Sequence, residues 1–112
     1  MPTILEVIKK AIDEKKGEGT ILYDFKDHSP FVDYVFITSA SNSTQVNAIA
    51  NYIATCVKEN GYEVRGIEGN QGSPWILVDC QQVIVHVFET EERALYKLEK
   101  LYGDVLQVEL KQ

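Results

Sequence analysis

The strongest alternation of apolar and polar positions lies in Trp75-Ile-Leu-Val-Asp-Cys-Gln-Gln-Val-Ile-Val-His-Val-Phe88, where two short apolar runs flank Gln81-Gln82. Runs of this length, rich in β-branched residues and separated by two polar ones, predict a β-hairpin. With Gln81-Gln82 as the loop, Cys80 faces Val83, Val78 faces Val85 and Ile76 faces Val87. The other side of the ribbon sets Trp75 opposite Phe88, Leu77 opposite His86 and Asp79 opposite Ile84. The first face is small and aliphatic, as a core requires. The second mixes aromatic, aliphatic and polar side chains, the composition of a protein-binding surface.

The same reasoning places the remaining elements. Thr3-x-x-Glu6 is a capping-box pattern, and behind it Ile4, Ile8 and Ile12 with Leu5 and Ala11 form one helical stripe. Lys15-Lys16-Gly17 ends that helix, with Gly17 expected at the C′ position. Residues 20–25 and 31–39 read as strands split by the polar turn Lys26-Asp-His-Ser-Pro30. The second is apolar on both faces except at Asp33, which predicts a central strand. Asn42-x-x-Gln45 opens a second helix with Val46, Ile49, Ala50, Ile53 and Val57 in its stripe, and Asn60-Gly61 stops it. Residues 62–67 read as a strand, and 68–74 as a turn-rich loop before the hairpin. Thr90 is expected to cap a third helix, with Leu95, Leu98 and Tyr102 on one face and Gly103 at its end. Residues 105–110 fit either a short edge strand or a docked tail. The order α-β-β-α-β-β-β-α predicts a single domain over residues 1–112, with 103–112 as a C-terminal tail. Its fold class is α/β (α+β), a mixed five-stranded sheet with packed helices.

Charge then removes one class of function. The chain carries 17 acidic and 11 basic residues, a net charge of −6, and its lysines are scattered or paired with glutamates. Nucleic-acid binders concentrate cations on one face because phosphate neutralisation supplies most of their affinity. Direct sequence-specific nucleic-acid binding is therefore not expected. A basic protein partner suits this charge better, since opposite fields speed encounter. No apolar run has transmembrane length, so no membrane partner is expected. Cys56 and Cys80 lack a Cys-x-x-Cys pattern and read as two reduced thiols of a cytoplasmic protein.

Chemistry finds few candidates. Ser39-Ala-Ser-Asn-Ser43, between a strand and a helix, has the position of an anion site at a helix N-terminus. A nucleotide-binding enzyme built there would also need paired carboxylates for magnesium, and Asp33 and Asp79 stand alone. The cluster reads more simply as a helix cap. Zinc needs three or four ligands, and the hairpin sets Cys80 and His86 on opposite faces. That separation also argues against a Cys–His dyad. No catalytic residue, metal or cofactor is expected. Trp75 has two readings, packing under the third helix or anchoring a partner, and tryptophan is a preferred anchor. His86 likewise reads as a partly buried, hydrogen-bonded strand residue or as a polar contact for a partner.

Several motifs together carry a family resemblance. They are the tryptophan-led strand, the run Val83-Ile-Val-His-Val-Phe88, Arg93-x-x-Tyr96-x-Leu98-Glu99-x-Leu101, Phe31-Val-Asp-Tyr-Val-Phe-Ile-Thr38, Ser43-Thr-Gln-Val-Asn-Ala-Ile-Ala50 and Gly66-Ile-Glu-Gly69. In this order, over roughly residues 2–102, they resemble the ribosomal silencing factors, the Iojap-like or RsfS family. The family's Gly-Asp hairpin turn is Gln81-Gln82 here, its glycine and arginine near the second helix are Ala40 and Thr44, and its last tryptophan is Tyr102. The resemblance implies a nucleotidyltransferase-like topology and a translational repressor that is not an enzyme. Its implied partner is the large ribosomal subunit, bound through the basic ribosomal protein L-fourteen, and its implied action is steric blocking of small-subunit association. On that reading Trp75 is the central anchor, Leu77 and Phe88 extend the apolar patch, and Asp79, His86 and Glu89 supply polar specificity. Self-association into a homodimer through the same hairpin or through edge strands is the remaining structural alternative.

Overall fold

Thr3 starts the first helix by a reciprocal cap. Its hydroxyl accepts from the Glu6 N–H at 3.2 Å, and the Glu6 carboxylate accepts from the Thr3 N–H at 2.9 Å. Two backbone donors that a helix start leaves orphaned are thereby satisfied. In the computed structural model, which describes residues 2–109, this helix is α1 (Ile4–Glu14), burying Val7, Ile8, Ala11 and Ile12. Its end differs from expectation. Lys16, not Gly17, takes the left-handed conformation, with φ at 61°. Lys16 N–H donates to the Asp13 carbonyl at 3.0 Å and Gly17 N–H to the Ile12 carbonyl at 2.9 Å, a paired C-terminal closure. Gly17 is required for space instead. A Cβ there would lie 2.5 Å from Ile12 Cγ2 and 2.6 Å from Thr38 Oγ1.

The chain then forms β1 (Glu18–Asp24) and β2 (Tyr34–Ala40), an antiparallel pair, and α2 (Ser43–Glu59), whose first turn is capped by Asn42 accepting from Gln45 N–H at 2.8 Å. After α2 come β3 (Gly66–Glu68), β4 (Trp75–Asp79) and β5 (Val83–Glu89), then α3 (Thr90–Tyr96), α4 (Leu98–Leu101) and β6 (Leu106–Val108). The sheet runs β3-β4-β5-β2-β1-β6, with β2 and β5 parallel and every other neighbouring pair antiparallel. β2 is central, as its two apolar faces predict. The sheet has six strands rather than five, because residues within 105–110 form β6 on the free edge of β1. The strand expected at 62–67 shortens to Gly66–Glu68.

The hairpin has the predicted register. Trp75 pairs with Phe88, Ile76 with Val87, Leu77 with His86, Val78 with Val85 and Asp79 with Ile84. The aliphatic face joins Phe36 and Ala40 of β2 beneath α1 and α2 in the larger core. The opposite face has a smaller core of Tyr23, Val35, Ile37 and Phe88, against which Trp75, Leu98 and Tyr102 pack. One side of the sheet is thus roofed by two long helices. The other is only partly covered, by the C-terminal segment.

That segment is not the single helix expected. Lys97 enters the left-handed region, with φ at 53°, and breaks it into α3 and α4. Leu98 and Tyr102 reach the smaller core, while Leu95 is left 75% exposed instead of sharing their face. Glu89 rather than Thr90 holds the cap position, and the Thr90 hydroxyl donates to the Ala40 carbonyl at 3.1 Å. Arg93 ties the elbow down. Its Nε donates to Glu99 Oε1 at 2.8 Å across the break, and its Nη1 donates to Ser39 Oγ at 3.0 Å and to the Glu18 carbonyl at 3.3 Å. Gly19 makes room for it. It has φ at 60°, sits where β1 gains an extra residue against β2, and an added Cβ would lie 2.9 Å from Arg93 Nη1.

Gln81 is exposed with φ at 73°, a conformation costing a side-chain-bearing residue about 1–2 kcal/mol. Gln81→Gly should raise unfolding stability in urea by roughly 0.5–1 kcal/mol, after allowing for glycine's greater entropy in the unfolded chain. Arg93→Ala should lower it by about 2 kcal/mol, because it strips partners from three elements at once. Arg93→Lys should recover only part of that loss, lacking the planar fork.

Candidate docking face

The less covered side of the sheet carries a groove of about 350 Å³. Its floor and one wall come from the hairpin: Leu77 and Asp79 of β4, Ile84 and His86 of β5. The opposite wall comes from the turn after β1, through Phe25, His28, Ser29 and Val32, and Tyr102 closes one end. Phe25 meets the Tyr102 ring edge-on with centroids 4.8 Å apart, and Tyr102 meets Tyr23 at 5.3 Å. The wall is therefore braced on the smaller core. Ser29 holds the turn, its hydroxyl accepting from the N–H groups of Phe31 and Val32 at 3.1 and 3.2 Å. Phe31 stands on the same turn, 81% exposed.

Beside the groove lies an aromatic stack. Trp75 lies against Phe88 with centroids 4.8 Å apart and a 24° interplanar angle, and meets Tyr96 of α3 at 4.6 Å. Its Nε1–H donates to His86 Nδ1 at 3.1 Å. Of the two readings of Trp75, packing beneath α3 is observed, and the ring remains half-buried. Phe88 corrects the sequence expectation. It is fully buried, so it supports Trp75 from below instead of extending an exposed patch. The cause is its place on β5 beside β2, with the Trp75 and Tyr96 rings above it. His86 is also buried, at 7% exposure, while Leu77, Asp79 and Glu89 are half-buried. Asp79 Oδ1 accepts from the Gln81 N–H at 2.9 Å and so shapes the hairpin turn.

The groove joins Leu77, Asp79 and His86 of the residues singled out in the sequence, and adds Phe25, His28, Val32, Glu68 and Tyr102. These were hidden because their sequence signals were local ones, a polar turn and a helix face. The contacts that matter span the fold.

Elsewhere the chemistry is occupied by structure. Thr38 and Ser39, at the start of the serine-rich turn, are buried. Ser39 Oγ donates to the Glu18 carbonyl at 3.0 Å besides accepting from Arg93, and Thr38 Oγ1 lies 3.0 Å from Thr20 Oγ1. The Thr38 hydroxyl joins β2 to β1, and the Ser39 hydroxyl joins both to the C-terminal elbow. Cys80 lies in the larger core, on the face opposite His86. Burial, with Asp79 beside it, pushes its thiol up to about 11, which suits a structural rather than a reactive cysteine. Among the described residues, no group of three or more His, Cys, Asp or Glu converges as a metal site would, and no helix is long and apolar enough to cross a membrane.

Comparison with known proteins fits this architecture. The whole chain, residues 1–112, matches the family described as ribosomal silencing factor during starvation. The ribosomal silencing factor of Bacillus subtilis is 40% identical over 102 residues, covering 91% of this chain and 86% of that protein. That of Halalkalibacterium halodurans is 38% identical over 107 residues, covering 96% and 92%. A crystal structure from Bacillus halodurans superposes with a TM-score of 0.84 at 36% identity, covering 96% of this chain and 97% of the other. The class is that of small mixed-sheet α/β domains with one partly open face. Within it, the chain belongs to the ribosomal silencing factor family.

Burial pushes the His86 imidazole down from 6.5 to about 4. The folded protein keeps the ring neutral while the unfolded chain takes up a proton below about 6.5, so its contribution to stability is complete above that pH and is lost as pH falls towards 4. Urea unfolding at pH 7 and pH 4.5 should show wild type losing roughly 2 kcal/mol more than His86→Gln, which has no ring to protonate.

Proposed function

We propose that this chain is a translational repressor that works by occupancy, not catalysis. It docks on the large ribosomal subunit through the basic ribosomal protein L-fourteen and keeps the small subunit off the same surface. The observation that carries this reading is the family match along residues 1–112. The groove and the aromatic stack beside it support the reading: Leu77 and the half-buried Trp75 offer apolar contact, while Asp79 and His86 in the groove and the half-buried Glu89 outside it offer polar contact. Phe88 contributes from beneath by supporting Trp75. A standard interface needs about 800 Å² from each partner and a few well-packed anchors. The net charge of −6 favours a basic partner over RNA. The working compartment on this reading is the cytoplasm.

Co-sedimentation with separated subunits tests the proposal directly. The protein should travel with large subunits and leave small subunits unbound; equal binding to both would overturn it. Light scattering of subunit joining should show inhibition that saturates near one protein per large subunit, whereas inhibition at far lower ratios would indicate turnover. Leu77→Ala should weaken large-subunit binding by about tenfold with little change in melting temperature, the scale of a modest anchor. Val85→Ala, on the buried aliphatic face, should cost about 1–2 kcal/mol of stability and leave the affinity of the folded fraction intact.

A further inference from the structure

The Trp75–His86 hydrogen bond fixes more than the position of the indole. An indole nitrogen can only donate, so Nδ1 of His86 must be the unprotonated acceptor at the 3.1 Å contact. A neutral imidazole then carries its proton on Nε2. Among the described residues, Nε2 has no hydrogen-bond partner, yet no buried side-chain nitrogen or oxygen lacks one. Nε2 therefore retains access to solvent, and the opening that His86 lines is the groove. A donor with a defined direction is held within a largely apolar wall, against a tryptophan packed on two further rings. We propose that His86 is both a positioning and a recognition residue of the docking face: Nδ1 locks the Trp75 indole over Phe88, and Nε2–H is offered to a carbonyl or carboxylate oxygen of the docked protein.

This inference rests on the docking reading above and assigns the atoms that make the face specific. The arrangement works only with a neutral ring. An imidazolium donates from both nitrogens and can no longer accept from the indole, so protonation would release Trp75. Burial holds the ring neutral at physiological pH. The other titratable groups of the neighbourhood are Glu68 on β3, Asp79 on β4, His28 on the turn after β1, Tyr96 of α3 and Tyr102 beyond α4. Among the described residues, no lysine or arginine lines the groove, so none of them competes there for the incoming acceptor.

Trp75 is the sole tryptophan, which makes the test clean. Long-range ¹⁵N–¹H NMR on wild-type protein should show His86 protonated at Nε2, with the indole N–H protected from solvent exchange. A ring protonated at Nδ1, or a freely exchanging indole, would overturn the positioning role without reference to any partner. His86→Phe should abolish the protection and weaken binding to isolated large subunits by about tenfold, the fold-change expected for one hydrogen bond to a carbonyl, and by more where the acceptor is a carboxylate. His86→Gln, which carries both an acceptor and a donor, should restore part of each and serves if the Phe variant fails to fold. Wild-type binding with unchanged affinity in both variants would reject the recognition role alone. Wild-type protein that leaves large subunits unbound would reject the docking reading and the recognition role with it, while the NMR result still decides the positioning role.

Discussion

The register of the β4–β5 hairpin is the constraint on which the rest depends. β5 sits between β4 and β2, and its alternate side chains enter cores on opposite faces of the sheet. Side chains alternate with a period of two, so a slip by one residue would turn every one of them over. His86 and Asp79 would then face α2, and Val85 and Val78 would face the groove. Neither side would tolerate it: the larger core would acquire an imidazole and a carboxylate without partners, each costly in an apolar interior. The same alternation that stabilises the fold therefore delivers Leu77, Asp79 and His86 to one surface. Folding and display of the site are a single event.

Much of this was legible because it is local or strictly periodic. The hairpin register followed from two apolar runs and a two-residue loop, and the α1 and α2 caps from residues three apart. What stayed hidden depends on contacts between distant parts of the chain. The break at Lys97 has no proline or glycine to announce it. It is held by Arg93, which reaches Glu99 on one side and β1 and β2 on the other. β6 was undecidable from its own three residues, because its pairing is decided by the open edge of β1. Phe88 illustrates the same limit. Its alternation correctly gave its face of the sheet, but whether that face is open at Phe88 depends on Trp75 and on Tyr96 from α3. Periodicity reports orientation; it does not report cover.

The serine-rich turn shows how one sequence feature admits two chemical readings until tertiary contacts separate them. In α/β sheets, the crevice at the carboxyl ends of strands is where ligands commonly bind. Here the turn that follows β2 meets the chain's own arginine. Arg93 places its guanidinium against Ser39 and the Glu18 carbonyl, and Glu99 balances its charge. The Ser39 hydroxyl, first in that turn, is committed to holding the C-terminal elbow, while Ser41 lies with the Asn42 and Gln45 side chains at the start of α2. That elbow in turn brings Tyr96 over Trp75 and Tyr102 to the end of the groove. Residues at one end of the sheet are spent on shaping a surface on its face.

This economy has a consequence for how a face of this kind recognises its partner. An exposed tryptophan on a mobile strand would have to be ordered on docking, and ordering side chains at an interface costs free energy that subtracts from affinity. Trp75 is already ordered, stacked on Phe88, covered by Tyr96 and hydrogen-bonded to His86. Its packing within the free protein contributes to folding stability, so the cost of fixing it is met before the partner arrives. On the docking reading, stability and binding would then not be separable at that residue: removing the ring would unsettle the face along with the contact. Leu77 is different, since it lines the groove without belonging to the aromatic stack. On the proposed docking reading, this division between a pre-ordered aromatic support and a neighbouring open groove would set affinity where side chains remain accessible, and specificity where His86 directs a single donor.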